Sequence, residues 1–267
     1  MPELPEVETV LRGLRKQIHD MPICNLESLY KGTVIYDKDI NKPVFPAKVD
    51  VFERRGKYII LHLESDNALI IHLRMTGKLI YTEDYHEEAK HIRALLSLSG
   101  CARVVFNDIR TFGKIIVAPI SKIDDYLPNL GPEPLSREFT YLCLQKAFIK
   151  KTAPIKNALL DQTVIAGLGN IYVCEILYRA GIAPETHSNL LSTAQLKSIV
   201  KHTKEVLTEA IAKNGTSVSD FRQIDDKTGE FQNFLQVYQK ETCPVGHKIS
   251  RIKQAGRSTF YCPVCQK

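Results

Sequence analysis

Four side chains near the end of this 267-residue chain have the types and spacing of a metal site. Cys262 and Cys265 are separated by two residues in CPVC, which lets both thiolates approach one cation from a tight turn. Cys243 and His247, in CPVGH, are separated by three residues and complete a Cys3His set. The alternative is an exposed histidine beside uncoordinated cysteines. Two ligand pairs that bracket a predicted hairpin favour the metal, and we predict one structural zinc ion.

The segment between the two ligand pairs, KISRIKQAGRSTFY, consists of two strand-like runs joined around QAGR. A finger of this size cannot bury enough apolar surface to hold itself together, so the metal ion would stabilise it. The hairpin places Arg257 at its tip. Taken alone, such an arginine would be a solvated surface charge.

The opening of the chain, MPELPEVETV, puts Pro2 and Glu3 directly after the initiator methionine. Proline in a first helical turn and acidic residues beside it are ordinary features of a helix start. By themselves these two residues therefore favour a helix start over chemistry. Other polar residues are equally ambiguous in isolation, since Lys57 and Lys156 would be solvated charges and Asn170 a helix cap.

Apolar periodicity indicates the elements that must position these residues. The spacing of Val7, Val10, Leu14 and Ile18 predicts a helix that begins near Pro5 and buries one face. The next hundred residues contain short β-rich runs divided by turn residues, at 57–64, 68–75, 95–108 and 114–120. Such regular strands and turns predict a sandwich or barrel.

The segment LPNLGPEPLS, residues 127–136, holds three prolines and one glycine, which neither a helix nor a central strand tolerates. We place a domain boundary there. Helical patterns follow it, at 138–150, 153–162, 170–181 and 192–215. Residues 216–233 are polar and predict a mobile loop before the cysteine-rich tail.

The charge and the apolar content of the chain limit the classes of protein to which it can belong. Thirty-six Lys and Arg residues against 30 Asp and Glu give a net charge of +6 and favour polyanionic partners. No stretch approaches eighteen consecutive apolar residues, and acidic residues occupy the N-terminus where a signal peptide would be basic and then apolar. We therefore expect a cytoplasmic protein that does not enter membranes.

Eight segments together resemble one family. They are MPELPEVETV, RRGKYII, HLRMTGKL, DIRTFG, GPEPLS, LLDQTVIAGLGNIYVCEILYRAGI, LQVY and the cysteine-rich tail. In this order they closely resemble formamidopyrimidine-DNA glycosylase, a bacterial repair enzyme. The resemblance implies an α+β fold whose parts are an N-terminal β-sandwich with an N-terminal helix (1–130), a linker (131–136), a helix-two-turn-helix domain (137–237) that carries a lesion-capping loop at about 216–233, and a β-hairpin zinc finger (238–267).

The activity implied by the resemblance is base-excision repair of duplex DNA. The enzyme would remove oxidised purines, such as 8-oxoguanine and formamidopyrimidines, and then nick the abasic site by β,δ-elimination. By resemblance, Pro2 is the amine nucleophile that forms a Schiff base with the sugar and Glu3 is the general acid-base. Glu6 would support the opened sugar, Lys57 would assist β-elimination at the lesion's phosphate, and Arg257 would assist δ-elimination.

The resemblance also assigns DNA contacts. Phosphate contacts would come from His91, Lys151, Lys156 and Asn170, with Lys150 a weaker candidate beside Lys151. The gap left by the everted base would be filled by Met75, Arg110 and Phe112. Without the family, Met75 and Phe112 would be assigned to the core. The implied partner is damaged double-stranded DNA, bound by a monomer with zinc and no small-molecule cofactor.

Three departures from the family pattern affect these expectations. CPVGH replaces the usual first cysteine pair, so zinc binding depends on His247 replacing a thiolate. Arg93 stands where the family often has a second histidine, and Asn214 stands where a second glycine is usual. Asn214 lies beside the loop expected to choose the lesion, so the substrate is less constrained than the reaction.

Two other functions stay open at this point. One is the related endonuclease VIII class, which prefers oxidised pyrimidines, although its members usually begin PEGPE rather than PELPE. The other is a catalytically silent DNA-binding module, against which stand Pro2, Glu3, Lys57 and Arg257 all present in one chain.

Overall fold

The computed structural model describes residues 1–84, 90–217, 222–225 and 227–267. These residues form two compact units. The first consists of Met1–Pro128 with Lys213–Glu230, and the second of Asn129–Ala212 with Phe231–Lys267. No helix in the described ranges is both long and apolar enough to cross a lipid bilayer.

The strands of the first unit form two sheets. They are β1 (Ile23–Ser28), β2 (Val34–Tyr36), β3 (Val49–Arg55), β4 (Tyr58–Leu63), β5 (Asn67–His72), β6 (Lys78–Thr82), β7 (Ile92–Leu98), β8 (Arg103–Asn107) and β9 (Lys114–Pro119). One sheet has the order β1-β7-β8-β6 and the other β2-β9-β5-β4-β3. Neighbours are antiparallel except β2 and β9, which are parallel.

One apolar core joins both sheets to the first helix, α1 (Leu4–Ile18). Val7, Val10 and Leu14 of α1 are buried in the same cluster as Ile59 and Leu96, which come from different sheets. Of the sandwich and the barrel that the strand pattern allowed, the two sheets form a sandwich, and α1 is part of its core.

The central strands β4 and β5 are apolar on both faces. Ile59 pairs with Ile71 and these two residues enter the main core, whereas Ile60 pairs with Ile70 on the opposite face. There the short helix α2 (Ile123–Tyr126) covers them with Ile123. Burial on both faces explains why these strands appear in the sequence as continuous apolar runs.

The strands that the sequence pattern did not predict are all edge strands. The predicted runs correspond to β4, β5, β7 with β8, and β9. The unpredicted strands β1, β2, β3 and β6 each lie at an edge of a sheet. An edge strand is half solvated, and β3, for example, carries several polar residues in its sequence VDVFERR, so its hydrophobic signal is weak.

Helices and a hairpin make up the second unit. They are α3 (Tyr141–Phe148), α4 (Ile155–Leu160), α5 (Asn170–Ala180), α6 (Thr193–Ala212), β10 (Ser250–Gln254) and β11 (Arg257–Tyr261). Ser192 caps α6, because its hydroxyl accepts from the Gln195 N–H at 3.2 Å while the Gln195 side chain accepts from the Ser192 N–H at 2.9 Å. Gly181 ends α5 in the left-handed conformation.

The segment after α6 belongs to the first unit, whereas the sequence placed residues 216–233 with the helical domain. Part of the loop for which the resemblance implies lesion capping, residues 218–221 and 226, lies outside the described residues. Within the described part, the Tyr81 N–H donates to the Ile224 carbonyl at 2.9 Å, and Ile224 packs in the core of the sandwich. These contacts, distant in sequence, group residues 213–230 with the N-terminal unit.

Candidate active site and nucleic-acid interface

The first turn of α1 buries the N-terminal residues that could do chemistry. Glu3 is the N-cap residue, and its backbone N–H donates to Glu6 Oε2 at 2.8 Å. Pro2 is buried, and Glu3 and Glu6 are 4% and 2% exposed. Two carboxyl groups therefore lie in one helical turn, shielded from bulk water, beside the proline.

The second oxygen of Glu6 fixes the segment that follows α6. Glu6 Oε1 accepts from the Thr216 N–H at 2.8 Å. Gly215 has φ +77°, and a Cβ there would lie 2.8 Å from the same carboxylate oxygen. Only glycine combines this backbone conformation with so close an approach. Glu6 thus connects the start of the chain to the first described residues of the segment 216–233.

Lys57 lies in the tight turn between β3 and β4. The Arg54 guanidinium donates to Glu8 of α1 at 2.9 Å and to the Gly56 carbonyl at 3.2 Å. Burial raises the pKa of Glu8, but hydrogen bonds from Arg12 and Arg54 outweigh it and lower that pKa below its usual value. This ion pair holds the β3–β4 turn against α1. Lys57 itself is 7% exposed.

His72, at the end of β5, is a buried histidine that senses the charge of Lys57 and that the sequence did not single out. It is buried, its ring stands edge-on to Tyr58 with centroids 4.5 Å apart, and its Nδ1 accepts from the Arg74 N–H at 2.9 Å. Burial, with the nearby charges of Arg74 and Lys57, lowers its pKa to about 3. The ring is therefore neutral at physiological pH. A histidine ending an apolar strand offered no sequence signal for this environment.

We expect His72 to make the protein sensitive to acid. Since its folded-state pKa of about 3 is below the ordinary 6.5, its contribution to stability is complete above pH 6.5 and is lost as pH falls toward 3. The free energy of unfolding should fall by about 1.4 kcal/mol per pH unit within that window through this group alone. In His72→Asn, whose amide oxygen can still accept from Arg74, that part of the slope should disappear in urea titrations between pH 7 and 4.5. The exposed His19→Asn is the matched control and should keep the wild-type slope, and an unchanged slope in His72→Asn would contradict the assignment.

Two loops of the first unit expose apolar side chains. Met75, in the loop of residues 73–77, is 38% exposed, and Ile109 and Phe112, in the loop of residues 108–113, are each 50% exposed. The guanidinium of Arg110 stacks over the Phe112 ring at 4.9 Å from its centroid. Core positions for Met75 and Phe112 are excluded. Clustered exposed apolar groups are typical of a contact surface.

His91 lies at the surface and Arg93 is turned inward. His91 is exposed in the left-handed conformation, with φ 71°. Arg93 Nε donates to the Asp108 carbonyl at 2.7 Å, and its guanidinium lies 4.8 Å from the centre of the Tyr30 ring. Arg93, which stands where the family often has a histidine, thus makes structural contacts, and its guanidinium also lies 3.4 Å from His91 Nδ1.

In the second unit, two turns between α4 and α5 place Asn170 at the first position of α5. The Gln162 side chain donates to the Leu160 and Leu168 carbonyls, both at 2.9 Å, and accepts from the Gly167 N–H at 3.0 Å. One amide therefore braces the connection. Asn170 Nδ2 donates to the Ser258 carbonyl of β11 at 2.9 Å, which attaches α5 to the hairpin.

The two lysines of this unit that were predicted to bind phosphate are not freely exposed. Lys151 Nζ forms an ion pair with Asp161 at 2.6 Å, and Lys156 in α4 is fully buried. Lys150 is exposed. Since neither Lys151 nor Lys156 presents a freely solvated ammonium group, their roles in DNA binding stay predictions.

The four predicted zinc ligands converge. Cys243 Sγ, His247 Nδ1, Cys262 Sγ and Cys265 Sγ all lie within 4.8 Å of one another. Cys243 Sγ is 4.0 Å from Cys265 Sγ and 3.8 Å from His247 Nδ1. Zinc–sulfur bonds of about 2.3 Å in a tetrahedron put two sulfurs roughly 3.8 Å apart, so this donor set fits zinc. Nδ1 is the ring nitrogen of His247 that faces the cysteines, 3.3 Å from Cys265 Sγ, which the sequence could not specify.

Glu175 of α5 is a buried structural carboxylate that the sequence did not reveal. It is completely buried, and its carboxylate accepts from the N–H groups of Gln236, Val237 and Tyr238 at 2.7, 3.0 and 2.8 Å. Burial raises the pKa of Glu175, and these backbone hydrogen bonds oppose that shift. Tyr238 in turn packs edge-on against Phe260 of β11. Glu175 therefore sets the path of the chain into the zinc finger.

Replacing Glu175 with alanine should be strongly destabilising. Three backbone donors would lose their acceptor inside the protein, and each buried unsatisfied donor costs about 1–3 kcal/mol. We expect the free energy of unfolding in urea to fall by roughly 3 kcal/mol or more. The exposed Glu185→Ala serves as the control and should differ from wild type by less than about 0.5 kcal/mol. An equal change in the free energy of unfolding for the two variants would show that the three hydrogen bonds do not stabilise the protein.

An open cleft of about 530 Å³ lies where α5 meets the hairpin. Its lining includes Asn170, Tyr238, Lys240, Arg251 and Arg257. Arg257 is exposed at the start of β11, after a turn whose residues Ala255 and Gly256 both have positive φ. Three cationic side chains, Lys240, Arg251 and Arg257, line the cleft with one acidic residue, Glu241, so its net positive charge suits an anion such as a phosphodiester.

Known families match three consecutive parts of the chain. Residues 1–115 match the formamidopyrimidine-DNA glycosylase N-terminal domain and residues 130–222 match the formamidopyrimidine-DNA glycosylase H2TH domain. Residues 240–267 match the zinc finger found in FPG and IleRS.

Relatives match over the whole length. A formamidopyrimidine-DNA glycosylase of Ruegeria sp. strain TM1040 is 39% identical over 295 residues, covering all of both chains. A mutant of Lactococcus lactis FPG in complex with Fapy-dG-containing DNA has a TM-score of 0.92 and 36% identity. MutM in complex with carbocyclic 8-oxo-G-containing DNA has a TM-score of 0.90 and 37% identity. Both of these structures cover 100% of this chain and of their own.

A two-sheet N-terminal unit with a buried Pro-Glu start, a helix-two-turn-helix and a zinc finger, in this order, define a bifunctional DNA glycosylase and AP lyase. The resemblance seen in the sequence is confirmed by the full-length matches. The chain belongs to the formamidopyrimidine-DNA glycosylase family.

Proposed function

We propose that this protein performs base-excision repair by removing oxidised purines from duplex DNA and nicking the strand at the abasic site. The observation that carries the proposal is the buried first turn of α1. There Pro2 and Glu3 are shielded from solvent and Glu6 accepts from the Glu3 N–H at 2.8 Å. The chain matches a family relative along that relative's whole length, and we assign the Pro2 amine and the Glu3 carboxyl group of this turn to the same sugar carbon, C1′.

The reaction begins once Met1 is removed and Pro2 presents a secondary amine. Its lone pair forms a bond to the sugar C1′ while the bond from C1′ to the damaged base breaks. Glu3 moves the protons that this exchange and the opening of the sugar ring require. The resulting iminium withdraws electrons, so a proton leaves C2′ and the C3′–oxygen bond breaks, and δ-elimination at the 5′ side follows. We assign Glu6 to the opened sugar, Lys57 to β-elimination and Arg257 to δ-elimination.

DNA binding uses the exposed donors of each unit. In the second unit, Asn170 and the cationic cleft beside it suit the phosphates next to the lesion. Lys151 is paired with Asp161 and Lys156 is buried, so a phosphate contact by either lysine requires its ammonium group to be released when DNA binds. In the first unit, His91 is exposed and suits a phosphate. Bound zinc, held by Cys243, His247, Cys262 and Cys265, serves to hold the hairpin that carries Arg257.

Base eversion leaves a gap in the duplex that the exposed loops can fill. Met75 is a flexible apolar plug, Phe112 a wedge between bases, and Arg110 a hydrogen-bonding partner for the orphaned cytosine. Their exposure on adjacent loops supports these roles. The capping loop at about 216–233 is assigned to lesion choice, and its residues 218–221 and 226 lie outside the described part of the chain.

Paired substrates test this function against its alternatives. Duplexes with 8-oxoguanine opposite cytosine or with thymine glycol opposite adenine are incubated with the protein and borohydride, with undamaged duplex as control. Faster cleavage and covalent trapping on 8-oxoguanine support the proposal. A preference for thymine glycol would favour the endonuclease VIII class instead, and no adduct with either lesion would favour a silent binding module. We place the enzyme in the cytoplasm, acting on chromosomal DNA as a monomer.

A further inference from the structure

Asp108 is a buried carboxylate for which neither the catalytic steps nor the DNA contacts provide a role. It follows β8 directly and is 1% exposed. Its backbone is held on both sides, because its N–H donates to the His91 carbonyl at 2.9 Å and its carbonyl accepts from Arg93 Nε at 2.7 Å. Its side chain points away from the strand pairing and into the two exposed loops.

The two oxygens of Asp108 anchor both ends of the 108–113 loop. Oδ1 accepts from the Arg110 N–H at 3.2 Å, and Oδ2 accepts from the Gly113 N–H at 2.7 Å. Gly113 admits no side chain, since a Cβ there would lie 2.3 Å from the Phe106 ring. The exposed residues Arg110 and Phe112 therefore sit on a loop closed around one carboxylate.

The same carboxylate reaches the other loop through Thr76. The Thr76 hydroxyl donates to Asp108 Oδ1 and accepts from the Arg110 N–H at 3.1 Å. Thr76 directly follows Met75, and Gly77 closes that loop with its N–H donating to the Leu73 carbonyl at 3.0 Å. One three-way hydrogen-bond network, Asp108–Thr76–Arg110, thus joins the two loops.

Both loops hold non-glycine residues in the left-handed conformation beside the exposed side chains. Arg74 has φ 54° and Thr111 has φ 61°. A β-branched residue such as Thr111 rarely adopts this conformation, and it persists only where neighbouring contacts enforce it. The hydrogen bonds to Asp108 flank Thr111 on both sides and provide that enforcement.

We propose that Asp108, with Thr76, is a positioning residue that holds Met75, Arg110 and Phe112 in the arrangement that enters the duplex. This inference rests on the proposed function of these three side chains. Preorganised loops insert without a further ordering cost at the moment the base leaves the stack. Asp108 touches neither the sugar nor the base and acts through the loops it anchors.

Substitutions can loosen this network without removing the exposed side chains. The Asn side chain of Asp108→Asn has a single oxygen to accept from three donors, the Thr76 hydroxyl and the Arg110 and Gly113 N–H groups. At least one of these hydrogen bonds is therefore lost. Thr76→Val removes the hydroxyl at nearly constant shape, and Thr76→Ser keeps it. Asp50→Asn, at an exposed position of β3, is the matched control for the loss of one charge.

Two substrates separate positioning from general damage. One is a duplex with 8-oxoguanine opposite cytosine, and the other is a single-stranded abasic oligonucleotide, which has neither a stack to open nor a partner base to replace. We expect Asp108→Asn and Thr76→Val to lower kcat/KM on the duplex by at least about tenfold, the usual effect of losing a hydrogen bond to a charged group. Borohydride trapping on the abasic strand should change by less than about twofold, and Thr76→Ser should restore duplex activity.

A fluorescent base opposite the lesion gives a direct readout, because 2-aminopurine fluorescence rises when the loops enter and unstack it. Both variants should lose this rise. In a Met75→Ala, Arg110→Ala, Phe112→Ala background, adding Asp108→Asn should have no further effect. Equal losses on both substrates, or full duplex activity in Thr76→Val, would overturn the proposal. If wild type itself traps no abasic strand, the proposed function fails instead, and if Asp108→Asn does not fold, Thr76→Val decides.

Discussion

A Pro2→Gly variant is expected to lose lesion cleavage by a factor on the order of 10³ or more, the scale on which removal of a catalytic nucleophile acts. Borohydride trapping should disappear with it. The substitution retains a terminal amine, so the expected loss comes from the ring nitrogen itself. In the structure, Pro2 is buried next to the turn of α1 that carries Glu3 and Glu6. Glycine has no ring, so its amine would be held less rigidly at this position.

Two properties of the Pro2 amine explain this expectation: its protonation at neutral pH and the charge of the iminium that it forms. An α-amino group has an ordinary pKa of about 8, so a useful fraction is unprotonated at neutral pH. The secondary amine of proline gives an iminium that is cationic without further protonation. A primary amine gives an imine that must capture a proton before it withdraws electrons, which weakens both elimination steps.

The control for this prediction is the state of the N-terminus. Methionine is removed before small residues, so mass spectrometry should find Met1 absent from wild type and from the variant. DNA affinity for an uncleavable abasic analogue should remain within a few-fold of wild type. Full cleavage by a wild-type preparation that retains Met1 would contradict the assigned nucleophile, and so would full activity of the variant.

The second large effect is expected at His247. Structural zinc contributes about 10–16 kcal/mol to the folding of finger peptides at neutral pH, and the hairpin β10–β11 has little apolar burial of its own. His247→Ala removes one of four ligands and should abolish stoichiometric zinc binding in the presence of a competing chelator. His247→Cys restores a thiolate and should retain one zinc ion per chain.

Activity should follow zinc content. Because Ser258 of the hairpin accepts from Asn170 and Arg257 begins the same strand, an unfolded finger removes both from the cleft. We expect lesion cleavage by His247→Ala to fall at least about tenfold. The exposed His19→Ala should match wild type in zinc content and activity. Retention of one tightly bound zinc ion by His247→Ala would exclude His247 as a ligand.

The sequence alone was enough for features set by local pattern. Apolar periodicity predicted α1, the interior strands and the helices of the second unit, since each buries a regular face. Ligand spacing predicted the zinc site, and its four donor atoms lie together as expected. The ordered set of motifs predicted the family, which the full-length matches confirm. The roles of Pro2, Glu3, Lys57, Asn170 and Arg257 remain predictions.

Tertiary structure alone decided what depends on partners distant in sequence. The edge strands, the low pKa of His72, the burial of Lys156 and the exposure of Met75 and Phe112 all follow from packing that no local window contains. Glu175 meets Tyr238 and Asp108 meets Thr76 across 63 and 32 positions of the chain. A side chain's exposure, protonation and hydrogen-bond partners are set by the groups around it in space. Residue type and spacing therefore indicated which chemistry was possible here, and folding determined which side chains were placed to perform it.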